Sequence, residues 1–104
     1  MGDTMTAVIV STAVAVAAAS FSVQHAQAAE FCDMIATTAR LEAKIRDQGH
    51  TLAEAHRIAD STYSGPGLVI AKQLADDAYS NPNLSPEEFG RRVKLACMAA
   101  KESK

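Results

Sequence analysis

Apolar residues recur at three- and four-residue spacing in four segments of the chain, and this spacing predicts amphipathic α-helices. No segment shows convincing alternation of apolar and polar residues, which a half-buried strand would require. The predicted helices are Glu30–Gln48, a second helix from the Thr51 cap to about Thr62, Leu68–Tyr79, and a fourth helix that follows Ser85. The sequence therefore predicts an all-α protein.

Local signals mark the ends of these helices. Thr51 and Glu54 have the Thr-x-x-Glu form of a capping box, in which each residue bonds the backbone amide of the other. Ser85–Glu88 combines a capping serine, a proline at the first helical position and a glutamate at the third. Gly49 is expected to end the first helix. Ser64–Gly67 is expected to separate the second and third helices.

The predicted core is rich in alanine. In the first helix, one side is expected to carry Phe31, Ile35, Ala39 and Ile45, and its edge Cys32, Ala36, Ala39 and Ala43. The second helix is expected to bury Leu52, Ala55 and Ala59, and the third Val69, Ile70, Leu74 and Ala78. The fourth carries Phe89, Val93 and Cys97. Met34 and Met98 are also expected in the core rather than as haem ligands. Alanine buries little apolar area, so such a core needs further support.

That support is expected from Cys32 and Cys97, the two cysteines of the chain. Four short helices with tight breaks favour antiparallel neighbours, which puts the start of the first helix beside the end of the fourth. The cysteines occupy those two places, and an even pair in a small exported domain indicates a disulfide. A dimer joined through the cysteines is the alternative. The predicted fold is a small bundle of about four short antiparallel helices closed by one disulfide.

Export is indicated by residues 1–28. Thr6–Ala28 is almost uncharged and ends in Ala26-Gln27-Ala28, a small-x-small pattern typical of signal-peptide cleavage between Ala28 and Ala29. The region before it lacks Lys or Arg, which departs from the usual pattern. An uncleaved anchor is the rival interpretation, but the apolar run falls short of the roughly 20 residues that span a bilayer. Cleavage leaves residues 29–104 as a single helical domain, periplasmic or secreted, with no stable anchor.

The charge of the chain does not favour nucleic acid as a partner. The chain has 12 acidic and 10 basic residues, for a net charge of −2. No basic stripe is present, so nucleic-acid binding has no electrostatic support. The expected partner is a periplasmic or extracellular protein, and the oligomeric state is left open.

Candidate chemical groups are few. His50 and His56 lie six residues apart and are expected on different helix faces, which does not favour a metal site. The neighbouring carboxylates Asp76-Asp77 and Glu87-Glu88 diverge on a helix, so they do not form an acid–base pair. Arg91-Arg92 with Lys94 predicts a small basic helix face. These patterns predict no catalytic residue, metal or cofactor, and a protein that is not an enzyme.

The chain resembles small exported two-cysteine helical proteobacterial proteins of unassigned function. The resemblance rests on the early cysteine, Arg46–Gly49, Leu84–Glu88 and the late cysteine. It implies a bacterial periplasm and no particular activity. In size, leader and single long-range disulfide, the chain is more loosely similar to periplasmic acid-stress chaperones.

The sequence therefore predicts a non-enzymatic binding or interaction protein of the periplasm or the extracellular space. The alternatives are a periplasmic acid-stress chaperone, which would open as carboxylates lose charge in acid, and an inhibitor or immunity protein against a secreted toxin. The exposed face of the second and third helices is the expected binding surface.

Overall fold

The computed structural model describes residues 26–102 of the chain, and these residues form helices without any strand. The helices are α1 (26–47), α2 (Leu52–Thr62), α3 (Gly65–Ser80) and α4 (Pro86–Glu102). The all-α prediction with four helices is confirmed.

The chain divides into two compact units, Met1–Glu30 and Phe31–Lys104. In the first unit, residues 26–30 are described and are helical. Most of the predicted signal peptide lies outside the described residues. Cleavage between Ala28 and Ala29 stays a prediction.

Local capping chemistry sets most helix ends. Thr51 and Glu54 form the complete capping box, with the Glu54 amide donating to Thr51 Oγ1 over 3.1 Å and the Thr51 amide donating to Glu54 Oε1 over 2.9 Å. Ser85 Oγ likewise accepts the amide of Glu88 at the start of α4 over 3.1 Å. Gly49 follows α1 with a φ of 94°, the left-handed conformation that favours glycine at a helix C-terminus. These predicted boundaries are confirmed.

The start of α3 differs from the prediction. The helix begins at Gly65, so Gly65–Gly67 forms its first turn, and the break is confined to Tyr63 and Ser64. Proline is well tolerated in the first turn because its missing amide hydrogen would have no helical acceptor there. The expectation that this segment separates two helices was therefore wrong by one turn.

Helices α1 and α4 lie antiparallel and are joined covalently. Cys32 and Cys97 form a disulfide with a Cα–Cα distance of 5.6 Å. Beside it, Lys94 Nζ lies 2.6 Å from Asp33 Oδ1. One turn further along α4, Lys101 Nζ lies 4.5 Å from the centre of the Phe31 ring. The predicted disulfide, within one chain, is confirmed.

Helices α2 and α3 form an antiparallel hairpin. Three polar contacts run along it: Tyr79 Oη donates to the carbonyl oxygen of His50 over 2.7 Å, His56 Nε2 lies 2.7 Å from Asp76 Oδ1, and Lys72 Nζ lies 2.7 Å from Asp60 Oδ1. Residue numbers rise along α2 as they fall along α3, which fixes the antiparallel direction.

The core consists mainly of alanine. Eight of the eleven buried hydrophobic residues described are alanines, and the other three are Cys32, Leu74 and Phe89. The face of α1 that was expected at its edge is fully buried: Cys32, Ala36, Ala39 and Ala43 are all 1% exposed or less. Small side chains let helix backbones approach closely, which explains why this face is central.

Nine large apolar residues expected in the core are not fully buried. The half-buried ones are Phe31, Ile35, Ile45, Ile70, Val93 and Met98. The other three are exposed: Met34, Leu52 and Val69, with exposed fractions of 59%, 36% and 56%. Leu52 lies in the first turn of α2, where fewer neighbours cover it, and Val69 lies on the side of α3 opposite Leu74. For these positions the predicted burial was wrong.

Gly90 lies at a close contact between α4 and α1. A Cβ atom at this position would lie 2.5 Å from Arg40 Cγ and 3.1 Å from the Ala36 carbonyl oxygen. We therefore expect Gly90→Ala to lower the free energy of unfolding by about 1–2 kcal/mol, because the overlap outweighs the gain in helix propensity. Urea unfolding followed by circular dichroism measures this change.

Gly67 provides the matched control, because a Cβ there meets nothing within 4 Å. Gly67→Ala is expected to leave stability unchanged or raise it by up to about 1 kcal/mol. Equal effects of the two substitutions would show that α4 does not pack closely on α1 at Gly90.

Candidate functional site

The predicted candidate residues on α2 and α3 are brought together by the hairpin. His56 and Asp76, predicted as separate exposed positions, form the 2.7 Å contact described above, with side-chain exposures of 33% and 54%. His50 lies at the start of α2, where its Nδ1 is 3.6 Å from Glu54 Oε2. Hydrogen bonds from Thr51 hold the pKa of Glu54 below its ordinary value. The two histidines do not converge on a common point.

Glu42 is the functional candidate that the sequence analysis missed. Its exposed fraction is 2%, and its Oε2 has no hydrogen-bond partner in the structure. Burial raises the pKa of this carboxyl above its ordinary value, and the nearby His56 opposes that shift. A signal was present in the sequence: Glu42 lies three residues after Ala39, so it continues the alanine face of α1.

Arg46, near the end of α1, reaches across to α3 and the following loop. Its Nη1 donates to the carbonyl oxygen of Ala78 over 2.8 Å and to that of Asn81 over 3.1 Å, and its Nη2 donates to that of Leu84 over 2.7 Å. The side chain is only 8% exposed. The planar guanidinium therefore adds donors to three carbonyl oxygens at and after the end of α3. Two of them, those of Ala78 and Asn81, also accept the backbone amides of Asn81 and Leu84.

The predicted basic face of α4 is largely neutralised within the fold. Arg91 Nη2 lies 2.7 Å from Glu88 Oε1, and Arg92 Nε lies 3.1 Å from the same oxygen. Hydrogen bonds from Arg91 and then Arg92 hold the pKa of Glu88 below its ordinary value. Lys94 is paired with Asp33 on α1. This arrangement leaves little uncompensated positive charge for an acidic partner.

One face of α2 carries a shallow, open concavity. It is lined by His50, Glu54, Arg57, Ile58 and Ser61, which are spaced along a single side of the helix. The lining mixes both signs of charge with one apolar side chain. Such a surface suits contact with another protein better than enclosure of a small molecule.

Within residues 26–102, no group of three or more histidine, cysteine, aspartate or glutamate side chains is arranged to hold a metal ion. None of the helices described is both long enough and apolar enough to cross a membrane.

Large apolar side chains are exposed on every helix. Six of them are at least 36% exposed: Met34, Leu41, Leu52, Ile58, Val69 and Leu95. On α1, Met34 and Leu41 lie seven residues apart and share one face. Alanines fill most of the interior, while these larger residues lie outside it.

Comparisons with known proteins give no family for this fold. The chain matches no family model, no curated protein and no solved structure. Fold and site together define a small all-α protein with one disulfide between its first and last helices.

Proposed function

We propose that this chain is a non-enzymatic binding protein of the periplasm or the extracellular space, which contacts another protein through its exposed apolar side chains. The observation that carries the proposal is the contrast between an alanine-filled interior and six exposed large apolar residues. Neighbouring apolar residues rimmed by polar groups are typical of protein interaction sites, and Met34 and Leu41 share one face of α1.

The packing explains how the fold can retain such residues on its surface. Alanines at the helix contacts, with Leu74 and Phe89, make the core without help from Met34 or Leu41. These side chains add little to the stability of the free protein. On binding, each would bury apolar area at roughly 25 cal/mol per Å². The disulfide between α1 and α4 keeps the α1 surface rigid, which lowers the entropy cost of association.

The proposed location rests on two features. The Cys32–Cys97 disulfide is of the kind that persists in oxidising compartments, and residues 1–28 have the pattern of a signal peptide. The resemblance to exported two-cysteine helical proteins supports the same compartment. No described residue set supports a catalytic role.

Leu41 on α1 provides the test, because it is 46% exposed and lies beside no catalytic or capping group. The oxidised wild-type protein would be immobilised and exposed to periplasmic extract and culture medium of the producing organism. We expect Leu41→Glu to reduce recovery of the bound protein by about tenfold or more, which is the usual effect of removing a central apolar contact.

Asn83→Asp is the matched control, since it adds the same negative charge at an exposed loop position. It should leave recovery unchanged, and both variants should keep the wild-type helical signal. A glutamate substitution at Met34 repeats the test at a second position of the same face. If both variants recovered as much bound protein as the wild type, binding through the α1 surface would be contradicted. Recovery of no protein at all would contradict the binding function itself.

A further inference from the structure

Glu42 lies where α1 meets the α2–α3 hairpin, and it is surrounded by the core. Ala39 and Ala43, which flank it on α1, are completely buried. His56 on α2 is close enough to act electrostatically on Glu42, and Glu42 acts in the same way on Tyr79 of α3. We call Glu42, His56 and Tyr79 the Glu42 junction.

The hydrogen-bond donors of His56 and Tyr79 contact acceptors other than Glu42. His56 Nε2 is 2.7 Å from Asp76 Oδ1. Tyr79 Oη donates to the carbonyl oxygens of His50 and Thr51. Nothing in the described structure therefore donates a hydrogen bond to Glu42 Oε2.

Other charged groups around the junction do not change this conclusion. Arg46, one turn further along α1, directs its guanidinium to the carbonyl groups of α3 and the next loop. Glu54, at the start of α2, acts on Tyr79 with the same sign of charge as Glu42. From α4, the core receives the uncharged ring of Phe89.

We propose that Glu42 makes the docking of the α2–α3 hairpin on α1 sensitive to protons, so that the hairpin is held more tightly when the carboxyl is protonated. A neutral carboxyl has no ionic desolvation cost in the alanine core. An ionised one has that cost without a compensating hydrogen bond, and opening of the hairpin would return it to water.

The pH range follows from the linkage between protonation and stability. Because the pKa of Glu42 is raised in the folded protein, the folded state binds the proton more tightly than the open state does. The stabilisation that the bound proton gives the closed hairpin is fully present below the ordinary carboxyl pKa. It is lost as the pH rises through the raised pKa of Glu42. The hairpin is therefore tighter in mild acid than at neutral pH.

Hydrogen exchange of backbone amides in α2 and α3 tests this proposal. In the oxidised wild-type protein, corrected protection in these helices is expected to be roughly threefold to tenfold higher near the ordinary carboxyl pKa, at about pH 4.5, than at about pH 7. The amides of α4, which is joined covalently to α1, should change less.

Glu42→Gln removes the titrating group while keeping its shape. It should show high protection of α2 and α3 at both pH values, so the pH dependence disappears. Asp77→Asn, at an exposed position of α3, should retain the wild-type dependence. Glu42→Met, which is also uncharged and of similar length, replaces the glutamine variant if that variant fails to fold.

Three results would overturn the proposal. The first is equal protection of the wild-type hairpin at both pH values. The second is persistence of the pH dependence in Glu42→Gln or Glu42→Met. The third is an equal change in α2, α3 and α4, which would indicate a shift of global stability rather than control of the hairpin.

Discussion

Replacing Cys32 and Cys97 together by alanine is expected to lower the free energy of unfolding by about 4 kcal/mol. The disulfide joins residues separated by 65 positions, and closing a loop of this size restricts the unfolded chain by about that amount in the chain-entropy model. The loss is comparable with the total stability expected of so small a domain. Alanine is the suitable replacement because Cys32 is fully buried among alanines.

The measurement is urea unfolding followed by the helical circular dichroism signal. Reduction of the wild-type protein provides the control, since it should shift the midpoint to that of the double variant. The double variant itself should not respond to reductant. If its midpoint coincided with that of the oxidised wild type, the disulfide would contribute nothing to stability.

Replacing Arg46 by methionine is expected to cost about 3 kcal/mol. The substitution keeps the apolar stem but removes the donors to the carbonyl oxygens of Ala78, Asn81 and Leu84. Hydrogen bonds from a charged donor contribute about 1.5–3 kcal/mol each, and three bonds from one group are less than additive. The same urea titration reports the change.

Two further variants separate geometry from charge at this position. Arg46→Lys keeps the charge but lacks the planar fork, so it should recover only a minor part of the loss. Arg57→Met removes an exposed arginine from α2 and should change stability by no more than about 0.5 kcal/mol. Full rescue by lysine would show that charge alone, and not the three directed bonds, is what stabilises the end of α3.

The parts of the fold that depend on nearby residues could be predicted from the sequence. The capping box at Thr51 and Glu54 and the cap at Ser85 are formed within one turn, so their chemistry is visible in the order of residues. The disulfide was predicted from two cysteines in a small exported domain, and the antiparallel order of the helices independently placed those cysteines together. The glycines and proline that open α3 were misinterpreted because the same residues suit both a break and a first helical turn.

The candidate site depended on contacts that the sequence does not show. Glu42 and Arg46 occupy adjacent turns of α1, yet one is left without a partner for Oε2 and the other bonds α3 and its loop. The helix that packs against each residue is set by contacts between residues far apart in the sequence. Arg46 and Ala78, for example, are 32 positions apart. Alanine also weakens the contrast between helix faces, so the outward direction of Val69 was not apparent.

The Glu42 junction also bears on the alternative of an acid-stress chaperone. Protonation of Glu42 favours the closed hairpin, whereas protonation of Glu54 and Glu88 removes contacts of the folded state, because the pKa of each is lowered there. The first effect acts above the ordinary carboxyl pKa and the second below it. We therefore expect an acid-opened form only in stronger acid than the range that tightens the hairpin.

The covalent link between α1 and α4 also determines how the protein responds to mechanical force. When tension is applied at the two ends of the Phe31–Lys104 unit, the Cys32–Cys97 bond carries the load between them. The segment between the cysteines, including the whole α2–α3 hairpin, lies outside the loaded path. Tension between those two ends would leave the hairpin folded until that one bond is reduced.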